Sequence, residues 1–147
     1  MTQSLHIDTG EIRLAINDDP NRVIVFNPAD VLFAERFYRL FGDFQKTLTQ
    51  YRPRFEALDA DQSTDENGMP ANLGNRIALV REVCEYIHAE IDKLFGAGTS
   101  QKVFDGAMDL NAIKQFFEGV TPFIKQARVE KVTQYTSTAT AKRNKRK

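Results

Sequence analysis

Three apolar stripes at helical spacing constrain this chain more than any other feature. The first runs Phe33, Phe37, Leu40, Phe44, Leu48, Tyr51, Phe55 and Leu58, with gaps of 4, 3, 4, 4, 3, 4 and 3. The second runs Ile77, Val80, Cys84, Ile87, Ile91 and Leu94, and the third Leu110, Ile113, Phe117, Val120, Ile124 and Ala127. Residues three and four apart share one face of an α-helix, so each stripe predicts a helix with one buried side. Seven-residue repeats of this kind favour helices packed nearly antiparallel in a bundle.

The ends of these helices follow from local chemistry. Asn27 suits an N-cap, Pro28 a first helical position and Asp30 the first turn, where the helix dipole favours a carboxylate. Pro53 predicts a kink or stop between Thr49 and Pro53. The polar stretch 59–74, with Gly68, Pro70 and Gly74, reads as the loop before a second helix over 75–95, and Gly96 suits its C′ position. Thr99 caps a short turn carrying Val103 and Phe104. Asp109 caps the third helix, which Pro122 interrupts or kinks.

The first 26 residues have a different period. Glu11–Asn17 alternates, with Ile12, Leu14 and Ile16 on one face, and Arg22–Phe26 is a second β-rich run. The cluster Asp18-Asp19-Pro20-Asn21 predicts a four-residue turn between them. Ser4–Asp8 reads as a third strand returning at Thr9-Gly10. The expected fold is therefore α+β and mainly α: an N-terminal β-hairpin over 1–26 and a body of three to four helices over 27–135. Together these form a single domain, 1–135, followed by a disordered basic tail over 136–147.

Charge sharpens this division. The 20 basic and 20 acidic residues cancel, but Lys142, Arg143, Lys145, Arg146 and Lys147 crowd the last six positions. No acidic residue follows Glu130, so residues 1–141 carry a net charge of −5. The basic end can meet phosphates through charge alone. Without interleaved aromatics it is not built to stack single-stranded bases, so nucleic acid is not the favoured partner. Four residues is the longest wholly apolar run, against about 20 for a spanning helix, and no apolar core of a secretory signal precedes residue 25. The expectation is a protein that is neither membrane-spanning nor secreted.

No motif reaches catalytic or metal chemistry. Asp59–Asp65 begins like a calcium loop, but Thr64 stands where a glycine is needed and Pro70 where a bidentate Glu is needed. Gly96-Ala97-Gly98-Thr99 has phosphate-loop ingredients in the wrong order and after a helix. Cys84 and His88 are one helical turn apart, with no second pair to complete a zinc site, and Cys84 lies in an apolar stripe. The expectation is no enzyme, no metal and no cofactor.

The 11 phenylalanines are the remaining signal. Phe33, Phe37, Phe41 and Phe44 broaden the first stripe, and Phe116 and Phe117 the third. A body this small leaves surplus apolar surface, so these six are candidate partner-binding residues.

Several segments resemble a small uncharacterised family of Gram-positive phages and prophages. They are Asn17–Ile24, Phe26–Asp30 and Phe33–Tyr38, then Glu90–Ser100, Val103-Phe104 and Phe116–Val120. They are also similar to segments of phage tail assembly chaperones. The resemblance spans residues 11–135. It implies a protein of the host cytoplasm that binds the tape-measure protein during tail morphogenesis, with self-association as a further expectation. The alternatives are a structural virion protein, such as a connector or tail-completion subunit, and a small nucleic-acid binder using the basic tail.

Overall fold

A computed structural model describes the backbone of residues 1–145 and the side chains of residues 1–128. The order is β1 (Ile12–Ile16), β2 (Asp19–Phe26), α1 (Val31–Ala60), α2 (Leu73–Phe95), α3 (Thr99–Phe104) and α4 (Leu110–Lys145). This is the α+β, mainly helical arrangement that the stripes and the alternation predict.

The hairpin is tighter than the sequence suggests. Its turn is Asn17-Asp18, both left-handed at φ 53° and 61°, and β2 already begins at Asp19. Asn and Asp tolerate this conformation, and a two-residue turn of this hand matches strand twist. Ile12 faces Phe26 and Leu14 faces Ile24 across the antiparallel ladder, and the register slips between Ala15 and Ile16. Among the described residues the sheet has two strands. The expected third strand over Ser4–Asp8 does not form, and residues 1–9 run as an exposed arm.

Helix α1 starts one turn later than Asn27 suggests. Asp30 is its N-cap, accepting from the Leu32 amide at 2.9 Å, while Asn27 accepts from the Ala29 amide at 3.0 Å in the turn before it. The helix does not stop at Pro53 but continues to Ala60. Helix α2 begins at Leu73 and ends as Gly96 turns to φ 116°. Thr99 does not cap α3 but is its first residue, its hydroxyl donating to the Gly96 carbonyl; the cap comes from α2, where the Asp92 carboxylate accepts from the Ser100 amide at 2.7 Å and the Ser100 hydroxyl at 3.0 Å. Asp109 caps α4 as expected, accepting from the Asn111 amide at 2.8 Å.

Helix α4 passes through Pro122, and its backbone extends to Lys145, where the sequence reading starts a structureless tail at 136. No glycine or proline follows Pro122, and cations near a helix C-terminus complement its dipole. The side chains of the basic cluster lie outside the described residues.

The core lies where the inner face of the hairpin meets α1, α2 and α4. Phe37, Val83, Cys84, Ile87, Ile91, Ile113, Phe117 and Ile124 are fully buried. The face of α2 is rotated from the expected stripe: Leu79 and Val83 are buried, while Ile77 is 58% exposed. Two arginines tie the layers together. Arg22 on β2 donates to the Lys102 and Val103 carbonyls at 2.7 Å each, satisfying the free carbonyls at the end of α3. Arg128 on α4 donates to the Pro28 and Ala29 carbonyls at the entry to α1.

Candidate functional site

Phenylalanines at helical spacing on α1 and α4 face each other because both helices turn their stripes to one interior. Phe117 meets Phe37, Phe41 and Phe44 at centroid distances of 5.7, 5.1 and 5.5 Å. Phe95 joins Phe26, Phe33 and Phe116 at 5.5, 5.1 and 5.2 Å, all edge-on. Such pairs contribute about 0.5–1.5 kcal/mol each beyond area burial.

This geometry corrects the reading of the six phenylalanines as a partner face. Phe37, Phe44, Phe116 and Phe117 are buried core, and Phe33 and Phe41 are partly buried against it. The stripes found each other, which leaves little of them for a partner.

Apolar surface remains elsewhere, and sequence reasoning passed over it. An open groove of about 560 Å³ runs between the hairpin, α3 and α4, with walls that include Leu14, Ile16, Val103, Gln115, Gly119 and Phe123. Of the phenylalanines, Phe123 alone is exposed, at 38%. A Cβ at Gly119 would meet nothing within 4 Å, so the α4 wall is open there. The signal was a second, narrower stripe, Ala112, Gln115, Gly119 and Phe123, at gaps of 3, 4 and 4. A second groove of about 540 Å³ holds Arg76, Ile77, Val80, Arg81, Gly106 and Met108. Both grooves are lined by a mixture of apolar and polar residues, a surface suited to side chains of a peptide or helix.

The remaining candidate chemistry is structural in place. Burial pushes the Cys84 thiol up to about 11, away from the thiolate a nucleophile needs. The His88 ring stacks on Phe104 at 4.6 Å and 2°, with its Nε2 buried and unpartnered. Burial lowers its pKa, while Asp92 and Glu85 act in the opposite direction.

In the acidic loop, Asp61 accepts from both the amide and the hydroxyl of Ser63, which holds its carboxyl below the usual range. Asp65 likewise accepts from the Asn67 and Met69 amides. These carboxylates shape their own turns. Among the described residues, no group of three or more His, Cys, Asp or Glu side chains is placed to hold a metal, and no helix is long and apolar enough to cross a membrane.

The fold and its grooves define a small, mainly helical protein with an N-terminal hairpin and open apolar surface beside α4. Residues 21–147 match the model of a family of unknown function (DUF6673), and the chain belongs to that family. The match takes in most of β2, all four helices and the basic end, and begins after β1. No curated protein and no solved structure matches the chain.

Proposed function

We propose that this protein is a tail assembly chaperone of Gram-positive phages or prophages. It acts without catalysis in the host cytoplasm, holding the tape-measure protein soluble until the tail tube forms around it. The similarity of residues 17–38 and 90–120 to such proteins motivates the reading. The observation that carries it is the groove beside α4, whose walls leave Phe123 exposed in a fold that covers its other phenylalanines. An amphipathic client helix sets side chains three and four residues apart into such a groove. Many copies along one long client give avidity from individually weak contacts.

Co-expression with a tape-measure fragment is the test. The wild type should raise the fragment's soluble fraction, and Phe123→Asp should abolish that gain while far-UV circular dichroism stays unchanged. A fragment equally soluble with and without the protein would sink the reading. Recovery of the protein as a stoichiometric component of purified particles would point instead to a structural virion subunit.

A further inference from the structure

The N-terminal arm is the most exposed apolar segment that the fold leaves without a role. Leu5 is 83% exposed and Ile7 71%, and no secondary structure forms over residues 1–11. The two apolar side chains alternate with Ser4, His6 and Asp8, so an extended arm has one apolar and one polar face. At its root, Gly10 sits against Asn27 and Ala29, where an added Cβ would lie 3.0 Å from Ala29 Cβ. That contact holds the root of the arm beside the residues that follow β2.

The outer edge of β1 is open. Strand β1 pairs with β2, and among the described residues no other hydrogen bond reaches the β1 backbone. The opposite edge of the sheet differs, because β2 borders α3 and is tied to it by Arg22. An unpaired strand edge is a template for another strand, with main-chain bonds giving affinity and alternate side chains giving specificity.

We propose that the arm of one copy adds antiparallel to the β1 edge of a second copy, with Ile7 opposite Leu14 and Asp8 opposite Arg13. Charge selects this register. Leu5 falls beside Ile16 and Ile7 beside Leu14, so the apolar row Ile12, Leu14, Ile16 gains a neighbouring row on the same face. On the other face the Asp8 carboxylate meets the Arg13 guanidinium, which is exposed and in no ion pair among the described residues. Sliding the arm so that Ile7 faces Ile12 sets Asp8 against Glu11, two like charges directly opposite. Sliding it so that Ile7 faces Ile16 loses both the charge pair and the place for Leu5. Residues 5–9 span about 16 Å when extended, the same length as five-residue β1. Leu5 then lies next to Ile16, at the hairpin wall of the groove beside α4. The pairing is independent of the chaperone reading, because it concerns copies of this chain and not a client.

Light scattering on the full chain across a concentration series tests it. The wild type should reach at least twice the 16.7 kDa chain mass, and deleting residues 2–8 should leave a monomer with unchanged circular dichroism. Asp8→Arg alone and Arg13→Asp alone should each weaken association roughly five-fold, and the double exchange should restore it. In the Asp8→Cys, Arg13→Cys variant, oxidation should give a disulfide between chains, with Cys84 shielded in the core. A wild-type monomer throughout the series, or a disulfide formed within one chain, would overturn the proposal, the latter by showing that the arm folds onto its own β1.

Discussion

The two halves of the α1–α2 pair carry the same apolar spacing and different packing. From Val31 to Leu48, α1 faces the hairpin, α2 and α4, and its buried residues are Ala34, Phe37, Leu40 and Phe44. Beyond Phe44 no α1 residue is buried: Leu48 and Tyr51 are partly covered at the edge of the core, and Phe55 and Leu58 are partly covered beyond it. Polar bonds compensate at this tip. Asn72 donates to the Leu58 carbonyl at 2.7 Å and accepts from Arg76 Nε at 2.8 Å. Arg76 also donates to the Leu58 carbonyl at 2.8 Å and pairs with Asp59 at 2.9 Å. An apolar stripe specifies a face, but the number of elements meeting that face decides how much of it becomes core.

The largest test of this contrast is Phe37→Ala against Phe55→Ala. Phe37 is fully buried against Phe117, Phe41 and Phe95, so its truncation should cost about 3–5 kcal/mol in urea or thermal unfolding. Phe55 is half-buried on a two-helix tip and should cost clearly less. Equal losses would break the distinction between core and tip.

Asn72→Ala comes next. It strips a donor from the Leu58 carbonyl and an acceptor from Arg76, at about 1–3 kcal/mol. The loss should be local: amide exchange should speed up over 49–60 and 73–80 and stay slow over 83–91. Uniform acceleration would mean that the tip unfolds only with the whole domain. Asp59→Ala should matter less, because its carboxylate is 70% exposed and such pairs are worth at most about 1 kcal/mol.

Much of the fold was legible because periodicity is a direct record of burial. The hairpin, the three main helices and the Asp109 cap follow from spacing and capping chemistry; the α3 turn at Thr99–Phe104 falls where expected, but its cap is Asp92 of α2 rather than Thr99. The Asn17-Asp18 turn was missed because Pro20 and the two aspartates made the following residues look like the stronger break. The unpaired arm was missed because alternation predicts a strand without saying which edge it meets. The candidate site was least legible. Apolar residues at helical spacing do not distinguish a face that binds a partner from one that binds the rest of its own chain. Phe37 and Phe117 proved to be each other's partners, and Phe123, off the main stripe, was the one left outside. By composition the basic end reads as a tail, yet the family match runs through it to residue 147.

The smallest effect should be a pH dependence confined to the core half. His88 stacks on Phe104 with its Nε2 unpartnered, and burial depresses its pKa despite Asp92 and Glu85. Above the ordinary value of 6.5 the ring is neutral in both folded and unfolded chains and contributes no slope. Below it the unfolded chain takes up the proton first, so stability falls as pH drops from 6.5 toward the folded value. Carboxylate titration dominates only at lower pH. Thermal unfolding at pH 7.5 and 5.5 should therefore show a lower Tm at 5.5 for the wild type and a smaller drop for His88→Leu. Leucine also removes the orphaned nitrogen, so its Tm at pH 7.5 should not fall far, if at all. An identical pH response in the two proteins would place the sensitivity in another group and leave His88 a packing residue alone.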